Sequence, residues 1–211
     1  MNMAYHEAII LQSAMSKPAS SLLLLLAISS VAGAQPAFEI GLPALRSYQP
    51  ATLIASQQTW AILQDRRGIM LFGYGDGLIE YDGSRWRSIP MPGQVGRSLM
   101  QDKAGKIWAG GRGEFGTLKP DSKGMLQFVS MEAKVPEAHR QFSDIWQIVE
   151  TPQGIFLRSY EKLFRWDGQR MHTWESKTRF EALSLIAGRI YTAQRGIGLQ
   201  EVKGDELSLL P

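Results

Sequence analysis

Residues 59–90 read TWAILQDRRGIMLFGYGDGLIEYDGSRWRSIP, and this stretch decides the fold. Three glycine-containing turns, at 65–68, 73–77 and 82–83, separate four short runs of apolar or alternating residues. Runs this short favour strands, because helices usually need about ten residues or more, and glycine supplies the positive φ of a tight hairpin. The stretch therefore predicts a four-stranded antiparallel sheet.

The same pattern recurs three more times along the chain. With residues 59–90 as the first unit, the others cover 97–131, 144–175 and 182–211, and an insertion at 132–142 lengthens the middle interval. The glycines of the first turns align as Gly68, Gly105, Gly154 and Gly188. Four-stranded units of about forty residues are typical of β-propeller blades. The fold class is therefore predicted to be all-β, a partial β-propeller at 59–211 whose four blades form an incomplete arc.

The second strand of each unit is apolar at nearly every position, as in 69–72 and 107–109. A strand without a polar face must be covered on both sides. We therefore expect the apolar core to lie between neighbouring blades. We expect the recurring tryptophans to fill the same gaps, since aromatic side chains bury a large area. They are Trp60, Trp86, Trp108, Trp146, Trp166 and Trp174.

The N-terminal region, 1–34, is interpreted as a leader that contains a signal peptide. Residues 15–34, MSKPASSLLLLLAISSVAGA, combine a lysine, a short apolar stretch and a small-residue cleavage site, so Met15 is the expected true start. The apolar stretch is too short for a transmembrane helix, although an uncleaved anchor stays open as an alternative. Residues 35–58, with three prolines, predict an extended lead-in. Export from the cytoplasm is the expected outcome.

Composition and motifs argue against several function classes. The chain has no cysteine, which excludes disulfides and thiolate metal sites, and its net charge of +3 comes with no basic run that would predict nucleic-acid binding. The G-x-G-x-x-G match at 111–116 is followed by another strand pattern, so no helix would hold a dinucleotide. His139, Ser143 and Asp144 could be imagined as a triad, but a surface loop is favoured. We predict no catalytic residue, no metal and no cofactor.

The turns between the second and third strands supply the candidate ligand site. In a propeller these turns lie on one face around the channel, together with the connections at 94–97 and 132–142. Arginine offers a planar fork for carboxylates or phosphates, and tyrosine offers stacking plus a hydroxyl. Alternatively, Arg112, Glu114 and Arg195 pair with one another or with water. The candidate residues are Tyr74, Asp76, Arg112, Glu114, Tyr160 and Arg195.

Residues 38–211 resemble the two-component-regulator propeller repeats in the extracytoplasmic sensor regions of bacterial signalling proteins. The resemblance is carried by GLPALRSY at 41–48, residues 58–89, WAGGRGEFGTLKPD at 108–121, KLFRWDG at 162–168 and YTAQRGIGLQEV at 191–202. In that family the propeller has more blades. It is usually followed by a β-sandwich, a membrane helix and a histidine kinase, diguanylate cyclase or DNA-binding output domain.

The resemblance implies a non-catalytic periplasmic module that senses an unknown small molecule or glycan. We expect this sequence to be an N-terminal piece of a longer, membrane-anchored receptor. An open arc would leave two blade faces uncovered, and the expected partners are the missing C-terminal blades and output domain or a second copy. The alternatives are a secreted lyase-like propeller enzyme and a stand-alone binding scaffold.

Overall fold

The structure is a computed structural model, and it describes residues 58–211. The predicted signal peptide and nearly all of the lead-in, residues 1–57, lie outside the described residues. Within 58–211, no helix combines the length and the apolar character that a membrane span requires.

Residues 58–211 form four antiparallel sheets of four strands each, with the strands of every sheet in chain order. We call the sheets blades 1 to 4. Two single-turn 3-10 helices lie between blades 2 and 3, at Glu132–Lys134 and Glu137–His139. This confirms the predicted fold class.

The strands have these bounds. Blade 1 contains β1 (Thr59–Gln64), β2 (Met70–Tyr74), β3 (Gly77–Tyr81) and β4 (Trp86–Ile89). Blade 2 contains β5 (Gly96–Gln101), β6 (Ile107–Gly111), β7 (Glu114–Pro120) and β8 (Leu126–Ser130). Blade 3 contains β9 (Gln147–Thr151), β10 (Gly154–Arg158), β11 (Lys162–Trp166) and β12 (Met171–Glu175). Blade 4 contains β13 (Phe180–Ile186), β14 (Arg189–Gln194), β15 (Gly198–Lys203) and β16 (Glu206–Leu209).

The apolar core lies between consecutive blades, as predicted. Three clusters of buried side chains join blade 1 to blade 2, blade 2 to blade 3 and blade 3 to blade 4. Strand β6 shows the cause, because successive side chains of a strand point to opposite faces. Ile107 and Ala109 pack toward blade 1, whereas Trp108 packs toward blade 3.

The tryptophans divide into two groups, so the prediction made for them is only half right. Trp108 and Trp174 are buried in the clusters between blades, and Trp166 packs against one of these clusters. Trp86 instead stacks on Tyr81, with ring centroids 4.2 Å apart. Trp60 and Trp146 contact each other edge to face, and both contact an arginine that is described with the candidate site.

Aspartates close the turns at one end of the blades. In the β1–β2 turn, Asp65 Oδ1 accepts hydrogen bonds from the backbone N–H groups of Arg67 and Ile69, at 2.8 and 3.0 Å. In the β5–β6 turn, Asp102 Oδ1 accepts from the backbone N–H of Lys106, and its Oδ2 accepts from Trp108 Nε1 at 2.9 Å. These bonds satisfy turn donors that strand pairing leaves free.

The β3–β4 type of turn uses the same device. Backbone N–H groups donate to Asp82, Asp121 and Asp167, each within its own turn. Hydrogen bonds from these backbone groups hold the pKa of all three carboxyls below the usual range. The Trp166-Asp167 dipeptide is therefore part of a turn. We call this end of the blades the turn end.

Two glycines let neighbouring blades approach closely near the inner strands. A Cβ added to Gly96 would lie 2.4 Å from the carbonyl oxygen of Gly77 in blade 1. A Cβ added to Gly110 would lie 2.5 Å from Ile145 Cγ2, next to blade 3. The close spacing of the first three blades therefore requires glycine at these two positions.

Candidate functional site

The opposite end of the blades is called the rim. The strands β1, β5, β9 and β13 contact one another in series and are the inner strands. Each begins at the rim, beside the turn that joins the second and third strands of its blade, since Thr59 pairs with Tyr74 and Gly96 with Gly111. The rim thus gathers residues from all four blades.

Aromatic and arginine side chains stack on one another along the rim, where the rings of Trp60 and Trp146 are 5.8 Å apart. The Cζ atom of Arg97 lies 3.8 Å from the ring centroid of Trp60 and 5.0 Å from that of Trp146. The rings of Trp146 and Tyr160 are 5.4 Å apart, and the Cζ atom of Arg179 lies 3.5 Å from the ring of Tyr160. These distances are typical of cation–π contacts. We call these five side chains the rim ladder.

One carboxylate serves two of the rim arginines. Asp144 Oδ2 lies 3.4 Å from Arg97 Nε, and its Oδ1 lies 3.8 Å from Arg112 Nε. The side chain of Arg97 is only 10% exposed, whereas that of Arg112 is 64% exposed. The site therefore has a buried and an accessible guanidinium around a single counter-charge.

Several buried polar atoms of the site have no hydrogen-bond partner among residues 58–211. A buried polar atom without a partner costs about 1–3 kcal/mol, which makes such atoms rare in folded proteins. Three buried polar atoms without a hydrogen-bond partner lie outside the site, on Arg165, Thr173 and Gln200. Those of the site are Arg97 Nε, Arg97 Nη1, Asp144 Oδ1, Trp146 Nε1 and Arg179 Nε.

A further arginine lies beneath the ladder. Arg158 is buried, donates from Nε to Gln147 Oε1 at 2.7 Å, and donates from Nη1 to the carbonyl oxygen of Phe180 at 2.9 Å. Burial lowers its pKa, and the positive charge of Arg179 lowers it further. Two arginines therefore place positive charge next to Tyr160, since the Cζ atoms of Arg158 and Arg179 lie 5.8 and 3.5 Å from its ring centroid.

Four of the six candidate residues lie at the rim, although not in one group. Tyr160 belongs to the rim ladder, and Arg112 lies beside Asp144. Arg195 is exposed and pairs with Glu181 at 2.6 Å. Asp76 is exposed in the β2–β3 turn. Their role in ligand binding stays a prediction.

Tyr74 and Glu114 are strand residues with buried side chains, which corrects their assignment to open loops. The hydroxyl of Tyr74 lies 3.4 Å from Ser88 Oγ. Glu114 Oε1 accepts hydrogen bonds from Ser130 Oγ and from the backbone N–H of Phe115. Burial raises the pKa of the Glu114 carboxyl, and these two bonds offset only part of that effect.

Among the described residues, Arg112, Glu114 and Arg195 do not pair with one another, and their pairing with water stays a prediction. Arg112, Glu114 and Arg195 contact Asp144, Ser130 and Glu181 in turn.

The sequence placed the 94–97 connection at the rim and predicted packing between blades for Trp146, but it gave no ligand-binding role to Arg97, Trp146 or Arg179. Their signal is positional, because each lies at or next to the start of an inner strand. Position alone does not reveal that side chains from different blades stack on one another.

The insertion at 132–142 is mainly structural. Val135 is fully buried in the cluster between blades 2 and 3, and the ring of Phe142 lies 5.0 Å from that of Phe164. His139 Nδ1 lies 3.0 Å from Glu175 Oε1, whereas Ser143 donates to Glu161. The imagined triad of His139, Ser143 and Asp144 is therefore not assembled.

Two other sequence features were weighed as binding motifs. Residues 111–116 form the turn between β6 and β7 and continue into β7, so a strand follows the glycines. Among the described residues, no three His, Asp or Glu side chains are grouped so that they could hold a metal ion.

Comparison with family models found no match, and comparison with curated proteins found none either. Solved structures do match. The structure is similar to one described as the extracellular domain of a one component system, BT4673, from B. thetaiotaomicron, with a TM-score of 0.59 and 16% identity over 81% of this chain and 24% of that one. A structure of the BT4673 extracellular domain described as part of a hybrid two component system matches with a TM-score of 0.54 and 14% identity, over 72% of this chain and 21% of that one.

Enzymes share the fold as well. A catalytically inactive variant of virginiamycin B lyase from Staphylococcus aureus, solved with quinupristin, matches with a TM-score of 0.55 and 12% identity, over 77% of this chain and 58% of that one. The chain thus spans about a quarter of the BT4673 domain and just over half of the lyase. At these identities the comparisons show that the fold is a β-propeller, and that extracellular sensor domains are among the structures that share it.

Proposed function

We propose that this chain is a non-catalytic, periplasmic ligand-sensing propeller and that it forms part of a longer signalling receptor. The observation that carries the proposal is the rim ladder. It gathers side chains from four blades, and four of its buried donor atoms have no hydrogen-bond partner within residues 58–211. The similarity to extracellular sensor domains supports the same reading.

A ligand that bridges several blades is well placed to report its own presence. The distance between the edges of the ladder depends on how the four sheets are arranged, so a bound molecule would favour one arrangement. In the proposed receptor this preference passes to further blades and to an output domain beyond the membrane. The missing C-terminal blades, or a second copy of the chain, would cover the outer faces of blades 1 and 4.

A thermal-shift screen of small molecules and glycans with the full chain tests ligand sensing. A true ligand should raise the melting temperature, because it binds the folded state only. Trp146→Leu should abolish the shift, whereas Trp86→Leu should preserve it. Both tryptophans are partly buried, but Trp86 lies on the outer strand of blade 1. Hits that are lost equally in both variants, or no hits at all, would contradict the proposal.

The coding sequence that follows Pro211 tests the receptor context. An in-frame continuation with more blades, a membrane helix and an output domain is expected. A stop codon followed by an unrelated gene would favour a stand-alone binding scaffold. An alkaline phosphatase fusion to Pro211 should be active outside the cytoplasm, and an inactive fusion would count against periplasmic location.

The second candidate is a secreted lyase, which the similarity to virginiamycin B lyase favours. The inactive lyase variant has alanine in place of a histidine, so a histidine matters in that enzyme. Here His139 contacts Glu175, and His172 lies between Asp167 and Asp205, at 2.8 and 3.0 Å. Incubation with quinupristin, followed by mass spectrometry, should show no cleavage. Turnover that disappears in His139→Ala or His172→Ala would establish the enzyme instead.

A further inference from the structure

The rim ladder and its ion pairs carry more positive than negative charge. The ladder arginines and the charged side chains near them amount to five guanidinium groups and three carboxylates, and Asp76 is a further, exposed carboxylate at the rim. The three carboxylates are already used, since Asp144 serves two arginines, Glu181 pairs with Arg195, and Glu161 accepts from Ser143. The guanidinium groups belong to Arg97, Arg112, Arg158, Arg179 and Arg195.

The unpaired atoms point in the same direction. Of the site's five buried atoms without a hydrogen-bond partner among residues 58–211, four are donors, on Arg97, Trp146 and Arg179, and one, Asp144 Oδ1, is an acceptor. A site that lacks acceptors is complemented by a molecule that brings them. Anionic oxygens are the strongest acceptors for guanidinium and indole N–H groups.

The accessible side chains define what else the molecule needs. Arg112 is the most exposed arginine beside Asp144, and Tyr160 and Arg179 are half-buried. The rings of Trp146 and Tyr160 lie between the guanidinium groups of Arg97 and Arg179. A flat ring can stack on such aromatic and guanidinium surfaces while its acidic group reaches an arginine.

We propose that the rim ladder binds a small organic anion, a carboxylate attached to a flat ring. The proposal rests on the function proposed above and names the class of ligand. Arg179, which lies on the ring of Tyr160, binds the carboxylate, and the exposed charge of Arg112 next to Asp144 adds to the attraction. The buried charges of Arg97 and Arg158 raise the positive potential of the rim, because they are poorly screened by water.

The test uses benzoate as the probe and benzamide as its neutral counterpart, with the full chain labelled with nitrogen-15. The indole N–H signal of Trp146, identified by its loss in Trp146→Phe, reports binding at the ladder. Benzoate should shift this signal in a saturable way, and added salt should weaken the binding. Benzamide should leave the signal unchanged.

Two variants locate the carboxylate. Arg179→Met should weaken benzoate binding by about tenfold or more, the usual effect of a lost charge-assisted hydrogen bond, and Arg112→Gln should weaken it by a smaller factor. Arg112 is largely exposed, so its variant should fold even if the other does not. Arg85→Gln is the control, because it removes the same charge from the β3–β4 turn, at the turn end of blade 1. Its affinity should stay within about twofold of the unchanged chain.

The inference is overturned if benzoate affinity is unchanged in both rim variants, or if benzamide binds as tightly as benzoate. If the screen then gave a neutral ligand whose binding depends on Trp146, the proposed sensing function would be supported and only the anionic class of ligand would be excluded. If neither probe shifts the Trp146 signal, the ladder does not take an aromatic carboxylate, and the inference fails whatever the screen finds.

Discussion

The turn end and the rim are the two ends of the same strands, yet they treat polar groups in opposite ways. At the turn end, carboxylates such as Asp65 and Asp102 accept hydrogen bonds from their own turns and are nearly buried. At the rim, Arg97 and Trp146 are stacked on neighbours from other blades and keep donors without partners. Local contacts satisfy these turn carboxylates, and contacts between blades leave these rim donors without hydrogen bonds.

The difference indicates which polar groups stabilise the fold and which are left able to bind another molecule. Groups that close a turn contribute to folding, because removing them orphans buried partners. Groups left unpaired do not contribute in this way, and proteins often keep such costs at sites that act on other molecules. The predictions below test each half of that contrast.

Asp102→Ala should break the turn end most severely. The change leaves the backbone N–H of Lys106 and the buried Nε1 of Trp108 without an acceptor, at a cost of about 3 kcal/mol in the free energy of unfolding. Urea denaturation measures the loss. Asp76→Ala, an exposed carboxylate at the rim, is the matched control and should change stability by less than about 0.5 kcal/mol. Equal losses would refute the contrast.

Gly96→Ala tests whether the backbone at the rim is closely packed, although donors at the rim lack hydrogen bonds. The added methyl group would meet the carbonyl oxygen of Gly77 in the neighbouring blade, so we expect a loss of about 2 kcal/mol. Gly204→Ala, whose added Cβ meets nothing within 4 Å, should lose less despite its φ of +61°. If the two variants melted at the same temperature, close backbone packing at the rim would be excluded.

Arg179→Met should cost nothing, or should stabilise the chain by up to about 1 kcal/mol, because it removes an unpaired buried donor and its repulsion of Arg158. Methionine can still pack on the ring of Tyr160. Arg87→Met is the contrasting variant. Its guanidinium is paired with Glu80 and the carbonyl oxygen of Leu126, so about 1 kcal/mol should be lost. A large loss in Arg179→Met would show that the ladder is a stabilising device.

Asp167→Asn should weaken the fall in stability toward acid. Backbone hydrogen bonds keep the pKa of Asp167 low in the folded state, so its contribution is present above the unfolded-state pKa and is lost as the pH falls through the folded one. Urea denaturation across the acid range measures the slope. An unchanged slope would mean that the turn does not hold the charged form.

Glu114→Gln should have the smallest effect and the opposite sign. Burial raises the pKa of Glu114, so its contribution is present below the unfolded-state pKa and is lost as the pH rises through the folded one. The variant should therefore be slightly more stable than the unchanged chain at neutral pH, and the difference should vanish in acid. A less stable variant at neutral pH would indicate that the ionised carboxylate is needed.

The sequence was sufficient for the fold because the fold is local. The turn glycines and their aspartates set each hairpin within a few residues, and the apolar second strands required a neighbour on both sides. The site was only partly predictable. Tyr160 and Arg112 were placed at the rim because they lie in or next to the turns between second and third strands. Tyr74 and Glu114 were misplaced, because register decides which side of a strand a terminal residue faces. The contact of Arg97 with Trp60 and Trp146 joins three blades, and no local pattern encodes it.

The position of the core has one more consequence. Each apolar cluster is built from two sheets, so no blade owns an interior, and a single excised repeat would expose both of its faces to water. The smallest piece able to fold is then a pair of neighbours. Such an array gains stability as blades are added in a row. A change within one cluster weakens the contact between its two blades and leaves the clusters on their other faces intact.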